Sequence, residues 1–373
     1  MRTRTIITEK QRMKNNRVLL GLSGGVDSTA AALLLKEKGF EVIGYYFDVL
    51  GNQTEGRERA AMAAEQLGIS FVQRTVAEEF ETNVIRPFCD SYRTGRTPNP
   101  CIVCNPTVKF RTMAQEADRL DASWLATGHY ARVEQSAEGQ PACRIRTAVN
   151  RRKDQSYMLY RLPQDILQRL ILPLGEVEDK AQVRQLVRGF GVFNADAADS
   201  QEICFIPDDD YVKYLNDRGI SAEEGDFIDG ETGRVLGKHR GILHYTIGQR
   251  KGLGMTFGKP RFVTKIDAKR NTVTLGSNED LFSCEVEAED CVMLGLSGED
   301  GIAAATKLIG RPLLGKIRYA AQPAQCMIRS VSHEKMEISF QDPQRAATPG
   351  QSVVLYDGEY LVGGGFITAP SAT

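Results

Sequence analysis

The sequence predicts an α/β protein: a doubly wound parallel sheet over 17–206, then a small mostly-β domain over 207–281 and a C-terminal β-barrel over 282–373. Three observations carry this. Between 17 and about 130, short apolar runs alternate with helical patterns, the signature of a parallel sheet covered on both faces. After Pro207 glycine becomes frequent, and strand-and-turn patterns replace helical ones. Towards the C-terminus, 335–340 alternates apolar and polar residues, and Asp357-Gly358 joins two apolar runs as a hairpin turn.

In order, Val18-Leu19-Leu20 heads a buried strand at 18–22, and an Ala/Leu-rich helix follows at 28–38, closed by Gly39. A second strand is predicted at 41–47, a helix at 58–67 ending on Gly68, and a third strand at 70–76. A helix over about 78–92 leads to a turn-rich loop at 93–106. Another helix at 108–120 leads to a strand at 123–126, which ends in Thr127-Gly128-His129-Tyr130. Between 165 and 190, Leu167, Leu170, Ile171 and Leu174, then Val183, Leu186 and Val187, recur at helical spacing and predict helices packing on the first domain. The segments 225–230 and 262–267 read as strands of the second domain.

At 373 residues the chain has room for two or three domains, and 42% hydrophobic with 25% charged residues is a globular composition. No apolar run approaches the roughly 20 residues of a membrane helix. Residues 1–16 carry Arg2, Arg4, Lys10 and Arg12 against Glu9 and have no apolar core, so a disordered basic arm is expected rather than a secretory signal, with a transit peptide as the alternative. Eight cysteines without such a signal point to a reducing, cytoplasmic setting and to reactive or metal-binding thiols. The net charge is -1, so a nucleic-acid partner would have to be met by local basic patches.

Gly21-Leu22-Ser23-Gly24-Gly25-Val26-Asp27-Ser28 joins the first strand to the first helix. A glycine turn there offers backbone N–H groups and the positive end of the helix dipole to an anion. Ser23 and Ser28 add hydroxyl donors. Asp27 repels phosphates unless a cation stands between, which suggests Mg²⁺ and a nucleotide. The loop lacks the lysine of a P-loop, and its glycines do not fit the dinucleotide fingerprint. By contrast, 310–316 matches a P-loop up to Lys316, but Ile317 stands where Ser or Thr should be and no helix is predicted after it.

Cys101 and Cys104 form a C-x-x-C in the 93–106 loop, and Cys204 lies in an Ile-Cys-Phe-Ile run at the end of the first domain. Three readings compete: a structural zinc site completed by His129 or Cys89, nucleophilic sulfur chemistry on two of the three thiols, or an iron–sulfur cluster on Cys101, Cys104 and Cys204 with one iron open. Cys89, Cys143, Cys284, Cys291 and Cys326 have no partner spacing and are expected to be small core residues.

The SGGVDS loop at 23–28 resembles that of the ATP pyrophosphatases, which adenylate a substrate oxygen. In one order the chain then carries Asn99-Pro100 with Cys104-Asn105 and Lys109-Phe110, Thr127-Gly128-His129-Tyr130, Lys153-Asp154-Gln155-Ser156-Tyr157, Cys204, Gly248-Gln249-Arg250-Lys251-Gly252-Leu253-Gly254 and Thr348-Pro349-Gly350-Gln351-Ser352. This set is similar to that of the tRNA-specific 2-thiouridylases, over about 17–366. The resemblance implies ATP held by residues 21–28 (Gly21, Leu22, Ser23, Gly24, Gly25, Val26, Asp27 and Ser28), by the Phe47 main chain and by Gly128. It implies Cys204 as persulfide carrier and Cys104 as the thiol that attacks it. Asn99, Pro100 and Cys101 would meet the target base, and His129, Lys153, Asp154, Gln155, Arg318, Tyr319 and Gln351 the tRNA. The partners implied are the anticodon stem-loop and a sulfur donor, either a cysteine desulfurase relay or inorganic sulfide.

Two departures stand out. Phe47 replaces the family's usual methionine, so only a main-chain contact carries over. Cys101 replaces an aspartate that handles protons of the base, and it completes the three-cysteine set of the cluster reading. Basic residues gather at Arg93 and Arg96, at Arg144, Arg146, Arg151, Arg152 and Lys153, and at Lys238, His239, Arg240, Arg250 and Lys251, where they could neutralise phosphates. Two other functions compete: an ATP pyrophosphatase acting on a small molecule, as in amidating synthetases, and a non-catalytic tRNA- or metal-binding module.

Overall fold

The computed structural model describes residues 15–135, 143–194, 203–206, 210–256 and 258–368. Residues 1–14 of the expected basic arm lie outside these; Asn15, its next residue, accepts the Ser123 N–H and donates to the Asp121 carbonyl.

In chain order the elements of the first half are β1 (Arg17–Gly21), α1 (Val26–Glu37), β2 (Glu41–Asp48), α2 (Thr54–Leu67), β3 (Ser70–Thr75), α3 (Ala77–Phe80), α4 (Arg86–Arg93), α5 (Pro100–Cys104), α6 (Phe110–Arg119), β4 (Trp124–Ala126), β5 (Ala131–Gln135), β6 (Cys143–Thr147), α7 (Gln164–Leu167), β7 (Leu170–Ile171) and α8 (Lys180–Gly189). The second half holds α9 (Tyr211–Asp217), β8 (Gly225–Asp229), β9 (Val235–His239), β10 (Phe262–Asp267), β11 (Thr272–Gly276), β12 (Phe282–Met293), α10 (Gly298–Thr306), β13 (Leu313–Lys316), β14 (Ala324–Val331), β15 (Met336–Arg345), β16 (Ser352–Asp357) and β17 (Tyr360–Ile367). The chain divides into two compact units, 1–80 with 104–201 and 81–103 with 202–373.

In the first unit, β3-β2-β1-β4-β7 form an all-parallel five-stranded sheet. Val18, Leu19 and Leu20 are fully buried, as a strand covered on both faces must be. The small face of α1, Ala30 to Ala32 with Leu33 and Leu35, lets it pack closely in the same core as Leu20, Tyr46 and Ala64. Leu170 and Ile171, expected to be helical, instead form β7 beside Leu125 and Ala126. Two residues are too few to show any periodicity. The β5–β6 hairpin was not expected from the sequence either.

Prolines reshape two predicted helices. The one expected over 78–92 is split by a π turn at Glu81–Ile85, just before Pro87 in the first turn of α4. The loop expected over 93–106 ends early, because Pro100 opens α5. A second π turn at Asn105–Lys109, containing Pro106, then joins α5 to α6. Proline lacks the N–H that a continuous helix needs, and the wider turn accommodates it.

The second unit is β-rich. A four-stranded sheet runs β10-β11-β8-β9 around Phe227, Tyr245, Val263 and Leu275. The barrel runs β12-β15-β14-β13-β16-β17, antiparallel throughout, and β12 pairs with β17 to close it. At that seam Gly363 has φ +147, and a Cβ there would strike the Val292 carbonyl. The strand β13 occupies 313–316 and a bend follows it, so 310–316 has no helix to form a phosphate site. Among the described residues no helix is long and apolar enough to cross a membrane.

Candidate active site

β1 ends at Gly21, and α1 begins at Val26, so 21–28 lies at the carboxyl edge of the parallel sheet, where ligands of such sheets bind. The loop is self-bonded. Ser28 Oγ accepts the Ser23 N–H (3.2 Å) and donates to the Gly25 carbonyl (3.1 Å), while Ser23 Oγ accepts the Gly25 N–H (3.3 Å). Leu22 and Val26 point into the core, so only their main chain faces the loop. Gly24 has φ +73, and a Cβ there would come within 2.7–2.8 Å of the Arg59–Ala60 backbone on α2. Gly128, just past β4, sits so close that a Cβ would lie 3.0 Å from the Asp27 carbonyl carbon. Phe47 is near the end of β2, with the Lys109 ammonium 5.7 Å from its ring centroid.

Three residues of this site were not singled out from the sequence. The Lys180 ammonium lies 2.7 Å from both Asp27 oxygens, and the Tyr130 hydroxyl donates to Asp27 Oδ1 at 2.7 Å. Asn194 donates to the Gly24 carbonyl (2.6 Å) and pairs with the Thr29 hydroxyl (2.8 Å). Tyr130 stood inside the Thr127-to-Tyr130 motif, but Lys180 lay in what read as a packing helix, and Asn194 just beyond it in a stretch with no assigned role.

His129 is half-buried, 2.7 Å from the Thr127 hydroxyl through Nδ1 and tilted against Phe110. Burial, and then the Lys109 ammonium, push its pKa down to about 3, so the ring is neutral at physiological pH. Asp154 is buried and accepts the Ala148 N–H and the Ser156 hydroxyl, which holds its turn together. Gln155 brackets Tyr130, accepting its N–H and donating to its carbonyl. Arg151 and Arg152 are exposed beside the half-buried Lys153.

In the second unit, Asn99 Oδ1 accepts the Cys101 N–H at 3.2 Å, an N-cap arrangement that, with Pro100 behind it, starts α5. Cys101 and Cys104 therefore sit on a helix, not in the expected loop; Cys101 is exposed and Cys104 buried. The exposed Cys204 adjoins Phe205, which packs edge-on against Phe88 and contacts Tyr214. Gln351 donates to the Thr97 carbonyl (2.8 Å), so its amide is engaged within the protein. Arg318 and Tyr319 are exposed in the bend after β13.

Several residues of the basic patches are neutralised by partners. Arg93, Arg96, Arg146 and Lys238 pair with Asp90, Glu289, Glu134 and Asp226. His239 is buried, with its ring spanning the Asn271 carbonyl and the Gly241 N–H, and burial lowers its pKa. Arg250 and Lys251 remain exposed. Burial raises the thiol pKa of Cys89, Cys143 and Cys326, the last to about 12, as core thiols should behave. Among the described residues no group of three or more His, Cys, Asp or Glu side chains is gathered to hold a metal ion, so neither the zinc nor the cluster reading gains support.

Known proteins match along the chain. Residues 16–208 match the family described as tRNA methyl transferase HUP domain, 212–277 the tRNA methyl transferase PRC-barrel domain, and 312–367 the aminomethyltransferase beta-barrel domain. The tRNA-specific 2-thiouridylase MnmA of Clostridioides difficile is 42% identical, covering 95% of this chain and 98% of that protein. A tRNA-specific 2-thiouridylase MnmA 2 of Clostridium botulinum is 41% identical, covering 95% and 99%. Among solved structures, the NMN synthetase of Francisella tularensis is a distant likeness, with 17% identity and a TM-score of 0.32 over 51% of this chain and 68% of that one. Identity of this level over almost the whole length settles the kinship: the chain belongs to the tRNA-specific 2-thiouridylases, a family of sulfurtransferase enzymes.

Proposed function

We propose that this protein replaces the C2 oxygen of the wobble uridine in certain tRNAs with sulfur, at the expense of ATP. The observation that carries the reading is the SGGVDS turn at the carboxyl edge of the parallel sheet, in a chain of this family. Its residues fit a nucleotide. Gly24 and Gly25 bring bare backbone to the start of α1, and Ser23 and Ser28 add hydroxyls. Asp27 would be the carboxylate of this loop that holds Mg²⁺ with the nucleotide. Residues 21–28, the Phe47 main chain and Gly128 would hold ATP, which supplies the adenylyl group that turns the C2 oxygen into part of a leaving group.

Cys204 carries the incoming sulfur as a persulfide. Its terminal sulfur attacks C2, and AMP departs with the oxygen. The Cys104 thiolate then attacks the Cys204 sulfur and breaks the S–S bond, leaving 2-thiouridine and a Cys104–Cys204 disulfide that an external thiol reductant reopens. Asn99, Pro100 and Cys101 meet the base, which an anticodon loop presents unstacked. Lys153, Arg318 and Tyr319 suit phosphate and base contacts, and the neutral His129 offers a hydrogen bond rather than a charge. A reducing cytoplasm suits this chemistry: a desulfurase relay would hand sulfane sulfur to the Cys204 thiol, whereas inorganic sulfide would attack the Cys204 sulfur of the Cys104–Cys204 disulfide, forming the Cys204 persulfide and releasing the Cys104 thiolate.

The test is pyrophosphate release and thiolation with tRNA, ATP and a sulfide source. Release is expected to require tRNA, and Cys204→Ser is expected to keep release and lose thiolation. Release driven by ammonia without tRNA would instead indicate a small-molecule amidating enzyme. Iron-free protein is expected to be fully active. A strict need for stoichiometric iron and acid-labile sulfide would replace the persulfide with a cluster on Cys101, Cys104 and Cys204.

A further inference from the structure

Cys204 lies in a short turn in which the Ile206 N–H donates to the Ile203 carbonyl (2.9 Å). The turn sends its side chains two ways: Cys204 is exposed, while Phe205 and Ile206 are buried. The Phe205 ring enters an aromatic socket. Phe88 of α4 meets it edge-on, with centroids 5.2 Å apart and planes at 87°, and Tyr214 of α9 meets it at 5.5 Å and 60°. Edge-to-face pairs are directional, so they set the orientation of a ring as well as bury it.

The walls of the socket are fastened to each other without Phe205. The Arg218 guanidinium forks onto both oxygens of Glu81 (2.9 Å each) and lies 5.0 Å from the Tyr214 ring centroid, which ties α9 to the π turn ahead of α4. Tyr92 of α4 stacks on Tyr211 of α9 at 4.8 Å, and the Tyr211 hydroxyl donates to the Leu243 carbonyl (3.1 Å). Phe88 and Tyr92, one helical turn apart, meet at 5.1 Å. The chain leaving α4 then leads to Asn99, Pro100 and Cys101, all within the second compact unit.

We propose that Phe205 is a positioning residue for sulfur transfer: seated between Phe88 and Tyr214, it fixes the Cys204 turn to the same unit that presents Asn99, Pro100 and Cys101 to the base. This rests on reading Cys204 as the persulfide carrier. A carrier has to stay open to its donor and yet deliver its terminal sulfur to one carbon atom. An exposed thiol on a turn anchored one residue away meets both needs. A displacement of about 1 Å at reacting atoms costs roughly a hundredfold in rate. Adenylation does not use the thiol, so the anchor bears on the sulfur step alone.

The test is a single turnover of full-length protein, loaded with sulfur on Cys204 and in excess over tRNA, at saturating ATP. Rate constants measured with enzyme in excess do not depend on the fraction that folds. Wild type is compared with Phe205→Leu and Phe88→Leu, which keep apolar volume and lose a ring, and with the double variant. Pyrophosphate release is expected to stay within about twofold of wild type, while thiouridine formation slows about tenfold to a hundredfold in each single variant. The double variant is expected to be no slower than the slower single one, because the two rings act through one contact. Sulfur on the Cys204 peptide, read by mass spectrometry before mixing, is expected to match wild type. Wild-type thiouridine formation in Phe205→Leu overturns the proposal. Equal slowing of pyrophosphate release and thiolation also overturns it, because it marks Phe205 as a residue of the fold alone. Losses that multiply in the double variant, or a loss explained wholly by poor loading, overturn it as well. Undiminished thiolation in Cys204→Ser removes the persulfide reading itself.

Discussion

His129 shows how one residue's surroundings set its chemistry. Its ring is wedged between Phe110 and the Thr127 hydroxyl near the Lys109 ammonium, and its pKa falls from 6.5 to about 3. The folded protein therefore refuses a proton that the unfolded chain accepts below about pH 6.5. Stability from this residue is present above that pH and is lost as pH falls towards 3. His129→Gln is expected to lose less stability than wild type in chemical denaturation between about pH 7 and pH 5. An equal loss would mean that the ring titrates normally. The loop residues at 21–28 were legible because their chemistry is local: glycines, serines and an aspartate between a strand and a helix. Lys180 and Asn194 were not, because the contacts that define them join α8 and its following turn to α1 across some 150 residues of chain. Asp154 and Gln155 were legible as a motif but not in their work, which is to hold a turn and bracket Tyr130.

At the scale of elements, long periodic segments were legible and proline-bearing ones were not. The strands β1, β2 and β3 appear within a residue or two of where apolar runs place them. The segment 93–106 is different, because Asn99 and Pro100 cap and open a helix where turn composition suggested a loop. Ahead of that helix, the Thr97 N–H donates to the Pro349 carbonyl (2.8 Å), Gln351 donates to the Thr97 carbonyl, and Arg96 pairs with Glu289 on β12. Gly350, at φ +91, allows this approach, since a Cβ would lie 3.0 Å from the Thr97 nitrogen. The barrel thus straps the residues that lead into Asn99, Pro100 and Cys101. Gln351→Ala is expected to raise the KM for tRNA several-fold and leave the KM for ATP unchanged. An unchanged KM for tRNA would make the strap dispensable.

For the whole molecule, the parallel sheet followed by β domains and a closed barrel followed from alternation, composition shift and one hairpin turn. Closure, expected from the sequence, is achieved where the Gly363-to-Gly365 stretch lets β17 approach β12 and β16. In the proposed function everything downstream depends on adenylation of the uridine oxygen, and this can be followed atom by atom. An anticodon stem-loop carrying ¹⁸O at C2 of the wobble uridine would be thiolated with ATP, and the nucleotide product analysed by mass spectrometry. One ¹⁸O atom is expected in the phosphate of AMP, with unlabelled pyrophosphate. Label in inorganic phosphate alongside ADP, or in water, would contradict adenylation and the role given to the SGGVDS loop.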